Sequence, residues 1–196
     1  MMPLLGRGVL AIWNGIAPGH DADFLRWHMG EHIPERLSVP GFLRARRYVA
    51  LRGDPAYFNF YEVEDPAVLS SAAYLARLND PTPWTQSVVP HFTETSRTLC
   101  RVLDSRGHGI GRAMATLRLA GRVTPELRAL LPALAAEPDI CAAHLLEQAE
   151  AAAAPTREQQ MRARPDETAP AILLIEGADP LAVAEVGERV AGDGAL

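Results

Sequence analysis

Two histidines four residues apart are the clearest candidates for chemistry in this sequence. His28 and His32 lie in the run Arg-Trp-His-Met-Gly-Glu-His of residues 26–32, and residues four apart share one face of a helix. Histidine titrates near neutral pH, so the pair predicts an acid–base role. The run also matches H-x-x-E-H, in which two imidazoles grip a metal beside a glutamate base. That alternative needs a third ligand from elsewhere. The remaining alternative is that the two histidines are ordinary polar residues on a half-exposed helix face, with no catalytic or metal-binding role.

Polar and aromatic side chains on the predicted strands form a second group of candidates. Alternation places Arg46 and Tyr48 on one face of the strand Phe42–Leu51, where a buried guanidinium or hydroxyl needs a partner. We expect Glu62 to pair with Arg44 or Arg47 across the hairpin. A pocket for a flat aromatic or polyketide-like ligand is predicted from Trp13, Tyr48, Tyr61, Tyr74 and Trp84. The alternative is an ordinary aromatic core whose hydroxyl groups are satisfied.

The elements that must position these residues follow the order βαββαβ in the first half of the chain. Strands are predicted at 7–16, 42–51, 57–63 and 95–103, separated by Pro-Gly, Gly-Asp-Pro and other breakers. Asp21 is the expected N-cap of a helix that carries both histidines, and Pro34 starts its next turn. Asp65-Pro66 opens a second helix to about Leu78, and residues 79–83 form a loop.

The second half repeats this order more loosely. Strands are predicted at 112–119, 140–147 and 171–176, with helices that start at Thr124-Pro125 and Asp179-Pro180. Pro40-Gly41-Phe42 aligns with Pro138-Asp139-Ile140, and the Asp-Pro helix start recurs at the same place in each half. The sequence therefore predicts an α+β fold of two tandem ferredoxin-like halves, residues 1–106 and 107–196. Residues 149–168 interrupt the second hairpin and are expected to form a helical or mobile surface excursion.

Composition narrows the function. All 19 basic residues are arginine, which excludes Schiff-base chemistry and P-loop phosphate binding, and the net charge of −5 argues against nucleic-acid and membrane partners. Two cysteines without a CxxC motif fit buried free thiols in a reducing compartment. No segment has the apolar length of a membrane span, so a cytoplasmic location is expected. All twelve aromatic residues precede residue 93, which assigns the site to the first half and a structural role to the second.

Residues 27–48 resemble EthD-like proteins of the dimeric α/β-barrel superfamily. The run Trp-His-Met-Gly-Glu-His-Ile-Pro-Glu-Arg-Leu-Ser-Val-Pro-Gly-Phe-Leu-Arg-Ala-Arg-Arg-Tyr carries the likeness, and the Tyr61-Glu62 strand, Asp65-Pro66 and Pro83-Trp84-Thr85 continue it. Relatives include ring isomerases, polyketide cyclases and dehydratases, and cofactor-free or haem-dependent oxygenases. The resemblance implies paired ferredoxin-like units with a pocket between helices and sheet. It implies that the pocket is lined by Trp27, His28, His32, Arg46 and Tyr48.

Together these observations predict a small-molecule enzyme without an obligatory cofactor or metal, acting by dehydration, isomerisation or cyclisation. His28 or His32 would be the base, Arg46 would steady an enolate oxygen, and Tyr48 or Tyr61 would donate a proton. The alternatives are a non-catalytic ligand-binding or stress-related module, and a monooxygenase that is haem-dependent, metal-dependent or cofactor-free. Its partner would be a small-molecule ligand, and the outer surfaces leave room for a homodimer.

Overall fold

The computed structural model of the protein describes residues 3–150 and 155–192. The ends of the two predicted halves, residues 1–2 and 193–196, and residues 151–154 of the predicted excursion lie outside the described residues. The chain divides into two compact units. The first unit comprises Gly6–Leu99 and Ala149–Thr168, and the second comprises Met1–Leu5, Cys100–Gln148 and Ala169–Leu196. The predicted halves 1–106 and 107–196 stay a prediction of domain organisation.

The first unit has the predicted βαββαβ order, with a helical layer over one face of its strands. Its strands are β1 (Gly8–Ile16), β2 (Phe42–Val49), β3 (Tyr57–Val63) and the first part of β4 (Phe92–Gly107). Its helices are α1 (Asp21–Trp27), a π-helical turn (His28–His32), α2 (Ile33–Leu37), a 3₁₀ turn (Pro66–Ser70), α3 (Ala72–Asn79), α4 (Pro83–Val88), a 3₁₀ turn (Val89–His91) and α6 (Arg157–Gln160). The strand order is β2-β3-β1-β4.

The helices of the first unit differ from the predicted ones at three places. Asp21 is the first helical residue, and its carboxylate accepts a hydrogen bond of 2.8 Å from the Tyr57 hydroxyl. The predicted helix 66–78 is broken at Ser71, whose extended backbone and side chain cap α3 at Tyr74. The predicted loop 79–83 ends in α4, because the Thr82 hydroxyl accepts from a backbone amide and Pro83 occupies the first helical position.

The second unit contains β5 (Ala113–Leu119), α5 (Pro125–Leu134), β6 (Ile140–Gln148), β7 (Ala171–Gly177), α7 (Pro180–Gly192) and the second part of β4. The strand order is β4-β6-β7-β5, with antiparallel pairing. As predicted, Thr124 caps α5, and its hydroxyl accepts from the amide of Leu127 at 3.2 Å. The described residues of this unit contain no strand after α7. No described helix in either unit is long and apolar enough to cross a membrane.

The hairpins of the two units share local features that support the predicted duplication. Gly41 and Asp139 both adopt left-handed backbone, with φ of 91° and 63°, directly before β2 and β6. In each hairpin the carbonyl of that residue accepts from the amide that follows the opposing strand, at 2.9 Å. Each hairpin also has a register shift at its start, after Phe42 and around Ile140. A local conformation that recurs this fully fits a common origin, and the duplication itself stays a prediction.

A buried polar relay joins three strands of the second unit. The Ser105 hydroxyl on β4 lies 2.8 Å from Nδ1 of His144 on β6, and Nε2 of His144 lies 2.9 Å from the Glu176 carboxylate on β7. The amide of Gly111 donates to the other oxygen of Glu176 at 3.1 Å. All three side chains are buried, so the relay satisfies groups that would otherwise be costly to bury.

Residues 155–168, which make up most of the described part of the predicted surface excursion, belong to the first unit; more than half of them are exposed, and the others pack against that unit. A capping box at Thr156 and Gln159 starts the short helix α6. Glu158 and Arg162 are buried, and the backbone of Glu167 hydrogen-bonds to Thr95 and Arg97 of β4 at 2.9 and 2.8 Å. Its charged composition suggested exposure, whereas the ion pairs Arg36–Glu158, Glu158–Arg162 and Arg162–Asp166 allow these groups to be buried.

Candidate active site

The two histidines lie on a π-helical turn rather than on a regular helix. The amide of Ile33 donates to the carbonyl of His28, five residues earlier, which marks the wider turn. Pro34, just after it, has no N–H to offer to a regular α-helical ladder. Single π turns of this kind are frequent at functional sites. The turn holds the two imidazole rings stacked, with centroids 5.4 Å apart and planes 27° from parallel.

His28 is fixed by the sheet beneath it. Its Nε2 lies 3.0 Å from the hydroxyl of Tyr61 on β3, and both residues are buried. Burial raises the pKa of the Tyr61 phenol above its ordinary value, so the phenol keeps its proton and is available as a hydrogen-bond donor to Nε2. A neutral imidazole that accepts at Nε2 carries its proton on Nδ1. Among the described residues, Nδ1 of His28 has no hydrogen-bond partner, which leaves a buried ring nitrogen unused.

His32 lies between aromatic rings and has an unused ring nitrogen as well. Its ring is 4.3 Å from that of Trp27, and Trp27 is held by a 3.1 Å hydrogen bond from its indole N–H to the Thr85 hydroxyl. No described residue bonds to Nδ1 of His32. Glu31, the glutamate of the H-x-x-E-H pattern, instead accepts a 2.6 Å hydrogen bond from Thr82 at the start of α4.

Burial and neighbouring cations keep both imidazoles neutral. Burial, followed by the charges of Arg47 and Arg36, lowers the pKa of His28 to about 3. Burial, followed by Arg36, His28 and Arg162, also lowers the pKa of His32 well below its ordinary value of 6.5. Both imidazoles are therefore neutral throughout the physiological pH range. Each ring can donate one hydrogen bond and accept another without carrying a charge.

A buried ion-pair network flanks the histidines. The Arg36 guanidinium on α2 is paired with Glu158 of α6 and, at 3.0 Å, with Glu35. Arg162 pairs with Asp166 and lies 3.6 Å from the other oxygen of Glu158. A buried guanidinium without such partners would be strongly destabilising. The ion pairs therefore hold α6 in this position.

Three further polar side chains lie on the helix-facing side of the sheet, next to Tyr61. Asn59 and Asn14 are buried neighbours on β3 and β1, and the Asn59 amide donates to Asn14 at 2.8 Å. The carbonyl oxygen of Asn59 has no partner among the described residues. Arg47 on β2 is directly opposite Asn59 in the strand register. Unused polar atoms on Asn59, His28 and His32 thus occur on one side of one sheet, as expected where a ligand or water is bound.

The structure separates the predicted site residues onto two faces of the sheet. Tyr61 packs with residues of α2 and α3, whereas alternation turns its neighbours Phe60 and Glu62 to the opposite face. Trp13, Arg46 and Tyr48 lie on that opposite face. Trp13 stacks on Phe58 at 4.5 Å, the Arg46 guanidinium lies 5.0 Å from the Phe60 ring, and it donates to the Tyr48 hydroxyl at 2.9 Å.

The expectation that all of these residues line one pocket is therefore wrong, because the sheet separates Trp13, Arg46 and Tyr48 from the histidines. Of the two partners predicted for Glu62, Arg44 is the one observed. Arg44 pairs with its carboxylate at 2.6 Å, and Arg46 joins them at 3.3 Å, so Arg46 has a structural role on its own face. Phe42 lies on the helix side, although it is two residues before Arg44 on the opposite face, because the register shift between them reverses its face.

The remaining predicted ligand-binding residues lie on the histidine side. Tyr74 of α3 is buried, and its hydroxyl accepts from Arg97 at 3.0 Å. Trp84 of α4 is half-buried, and its indole lies 3.4 Å from the Asp23 carboxylate. Tyr74 belongs to the apolar cluster of Tyr61, and Trp84 packs against the cluster that contains Trp27. The binding roles of both stay predictions.

Sequence reasoning missed the residues that complete this side of the sheet. These are Arg36, Arg47, Asn59, Glu158 and Arg162. Asn59 and Arg47 could have been found, because alternation places them on the face of Tyr61. Glu158 gave no signal, since its partner Arg36 is far away in the sequence. Arg162 is four residues from each of its partners, Glu158 and Asp166, so this spacing could have indicated those two ion pairs. Among the described residues, no group of three or more His, Cys, Asp or Glu side chains is arranged to hold a metal ion.

Comparison with solved structures decides the fold. An anthrone oxidase-like protein superimposes with a TM-score of 0.56 at 14% identity, over 95% of this chain and 79% of that one. A monooxygenase-like protein from Fusobacterium nucleatum gives a TM-score of 0.51 at 9% identity, over 96% and 88%. The fold is that of the dimeric α/β barrels. No protein-family model and no curated protein sequence matches the chain. At these identities the structural likeness establishes the fold alone, and the EthD-like resemblance stays a prediction.

Proposed function

We propose that the protein is a small-molecule enzyme that removes a proton from a carbon acid of an aromatic or polyketide-like metabolite. The observation that carries the proposal is the pair of neutral, buried imidazoles, each with an unused Nδ1, above the Tyr61 hydroxyl. Unsatisfied polar atoms in a buried, partly aromatic site are the groups that a ligand would satisfy. Aromatic walls from Trp27 and Phe24 suit a flat ring.

His28 and His32 have different roles in this proposal because their tautomers differ. His28 accepts from Tyr61 and so offers Nδ1–H as a donor, which suits the oxygen on which an enolate charge develops. His32 has no such constraint and is the better candidate for the base. The C–H proton would pass to Nδ1 of His32, the electron pair of that bond would form the C=C bond of the enolate, and the π pair of the C=O bond would move to the carbonyl oxygen beside His28. The low pKa of His32 rises in that step, because the enolate is an anion next to the new imidazolium.

This assignment differs from the sequence-based one in its supporting residues. Arg46 and Tyr48 lie across the sheet, so His28 replaces Arg46 beside the enolate oxygen, and Tyr61 rather than Tyr48 is the phenol of the site. No step of this chemistry needs a cofactor. Dehydration, isomerisation and cyclisation all begin with such a proton transfer.

An oxygenase is the second candidate, and the oxidase-like and monooxygenase-like structural neighbours favour it. Reaction of a carbanion with dioxygen also begins with removal of a proton, so the same residues would serve. Consumption of dioxygen separates the two reactions. A Soret band in the purified protein would indicate haem instead and would make a histidine its ligand.

Proton exchange is the direct test. Anthrone and 2-acetonaphthone carry acidic C–H groups, and we expect the protein to accelerate their deuterium incorporation in D₂O, measured by NMR. Replacement of His32 by Gln should reduce the rate by roughly 10²–10⁴-fold, the contribution of a general base. The matched control is His108→Gln, which changes an exposed histidine of the second unit. Binding without exchange would replace the enzyme proposal with a ligand-binding module, and equal rates for the two variants would refute the role of His32.

A further inference from the structure

Arg47 differs from the other cations beside the histidines. Arg36 and Arg162 are each held by carboxylates of the buried network. Arg47 lies on β2, faces the helix layer and is half-buried, but none of the described carboxylates pairs with it. Its one hydrogen bond is a long one, 3.4 Å, from Nη1 to the carbonyl of Leu25. A guanidinium has five N–H donors, so most of the capacity of Arg47 is unused.

The position of Arg47 connects it to the candidate site. It is opposite Asn59 in the β2–β3 register, and its charge is the first electrostatic contribution, after burial, that lowers the pKa of His28. Burial also lowers the pKa of Arg47 itself, which is the effect of partial desolvation without a compensating anion. The unused Nδ1 of His28 and the unused carbonyl oxygen of Asn59 are independent signs that a ligand belongs here.

We propose that Arg47 anchors an anionic oxygen of the ligand, so that the site prefers an aromatic carboxylate to a neutral aromatic compound. The proposal rests on the proposed function for its site and adds the charge class of the ligand. The planar guanidinium matches a carboxylate in a two-pronged geometry, and the half-buried location strengthens the pair relative to one in water. Because Arg47 has no carboxylate to release first, the ligand gains this contact without breaking an existing ion pair.

Isosteric probes test the proposal. We expect 2-naphthoate to bind more tightly than 2-acetonaphthone, which has the same ring and a neutral carbonyl group, in titration calorimetry. A charge-assisted hydrogen bond corresponds to roughly 10- to 100-fold in affinity. Arg47→Gln should abolish that preference, whereas Arg47→Lys should retain part of it. Arg44→Gln is the matched control, because Arg44 lies on the same strand but is paired with Glu62 on the opposite face.

The outcomes separate this proposal from the proposed function. A carboxylate preference that depends on Arg47, without proton exchange in any compound, would support the anion site and refute the enzyme. Proton exchange without a carboxylate preference would support the enzyme and refute the anion site. Equal affinity for the two probes, a preference that survives in Arg47→Gln, or no binding of 2-naphthoate would each overturn the role of Arg47.

Discussion

His28 should make the free energy of unfolding fall in mild acid, by an amount that the structure sets. Its pKa in the folded chain is about 3, against 6.5 as the ordinary value. The unfolded chain therefore binds a proton as the pH drops below about 6.5, while the folded chain does not bind it until about pH 3. Stability from this residue is complete above pH 6.5 and is lost as the pH falls. Over the roughly 1.5 pH units from 6.5 to 5, the loss is about 2 kcal/mol.

His28→Gln removes this titration and keeps an amide oxygen that can accept from the Tyr61 hydroxyl. We expect the variant to lose about 2 kcal/mol less than the wild type between pH 7 and pH 5. His32 stays in both proteins, and burial, the first cause of its lowered pKa, acts on it in both. Urea denaturation followed by tryptophan fluorescence is the assay, because all three tryptophans belong to the first unit. The exposed His108→Gln should follow the wild type. Parallel pH curves for wild type and His28→Gln would refute a buried, neutral His28.

Two further predictions concern the buried network and the thiols. Arg36→Met should destabilise the first unit by roughly 3–5 kcal/mol in the same denaturation assay, because Glu158 keeps a buried charge without its main partner. The double variant Arg36→Met/Glu158→Gln should recover part of that loss, and strict additivity would show that the two residues do not interact. Cys100 is fully buried and burial raises its pKa, whereas Cys141 is partly exposed. A maleimide should therefore label one thiol in the folded protein and two in urea, and Cys141→Ser should abolish labelling of the folded protein.

Strands were the most predictable part of this fold. Their period of two, and breakers such as Pro40-Gly41, place β2 and β3 within two residues of the observed bounds. The helices were less predictable, because local chemistry competes with periodicity. Ser71 ends one helical turn and caps the next, and the π-helical turn at His28 depends on how the wider turn packs against the sheet. Neither has a distinct sequence pattern.

The parts of the site that depend on one helix or one strand alone were predictable from the sequence. Helical spacing brings His28 and His32 together, and alternation places Tyr61 on one face of β3. What failed was the combination of strands, because the resemblance grouped Arg46 and Tyr48 with the histidines although the strand register puts them across the sheet. Register depends on pairing between strands, which alternation within one strand does not determine.

The hydrogen-bonded Ser105–His144–Glu176 relay of the second unit favours one register of its strands. The apolar residues of β6 and β7 are small or aliphatic and would pack tolerably in several alignments. A slip of β6 by one residue would turn His144 into the aliphatic core and leave the Glu176 carboxylate buried without its partner. The relay therefore disfavours a one-residue slip of β6. We infer that this serine, histidine and glutamate contribute to the specificity of strand pairing.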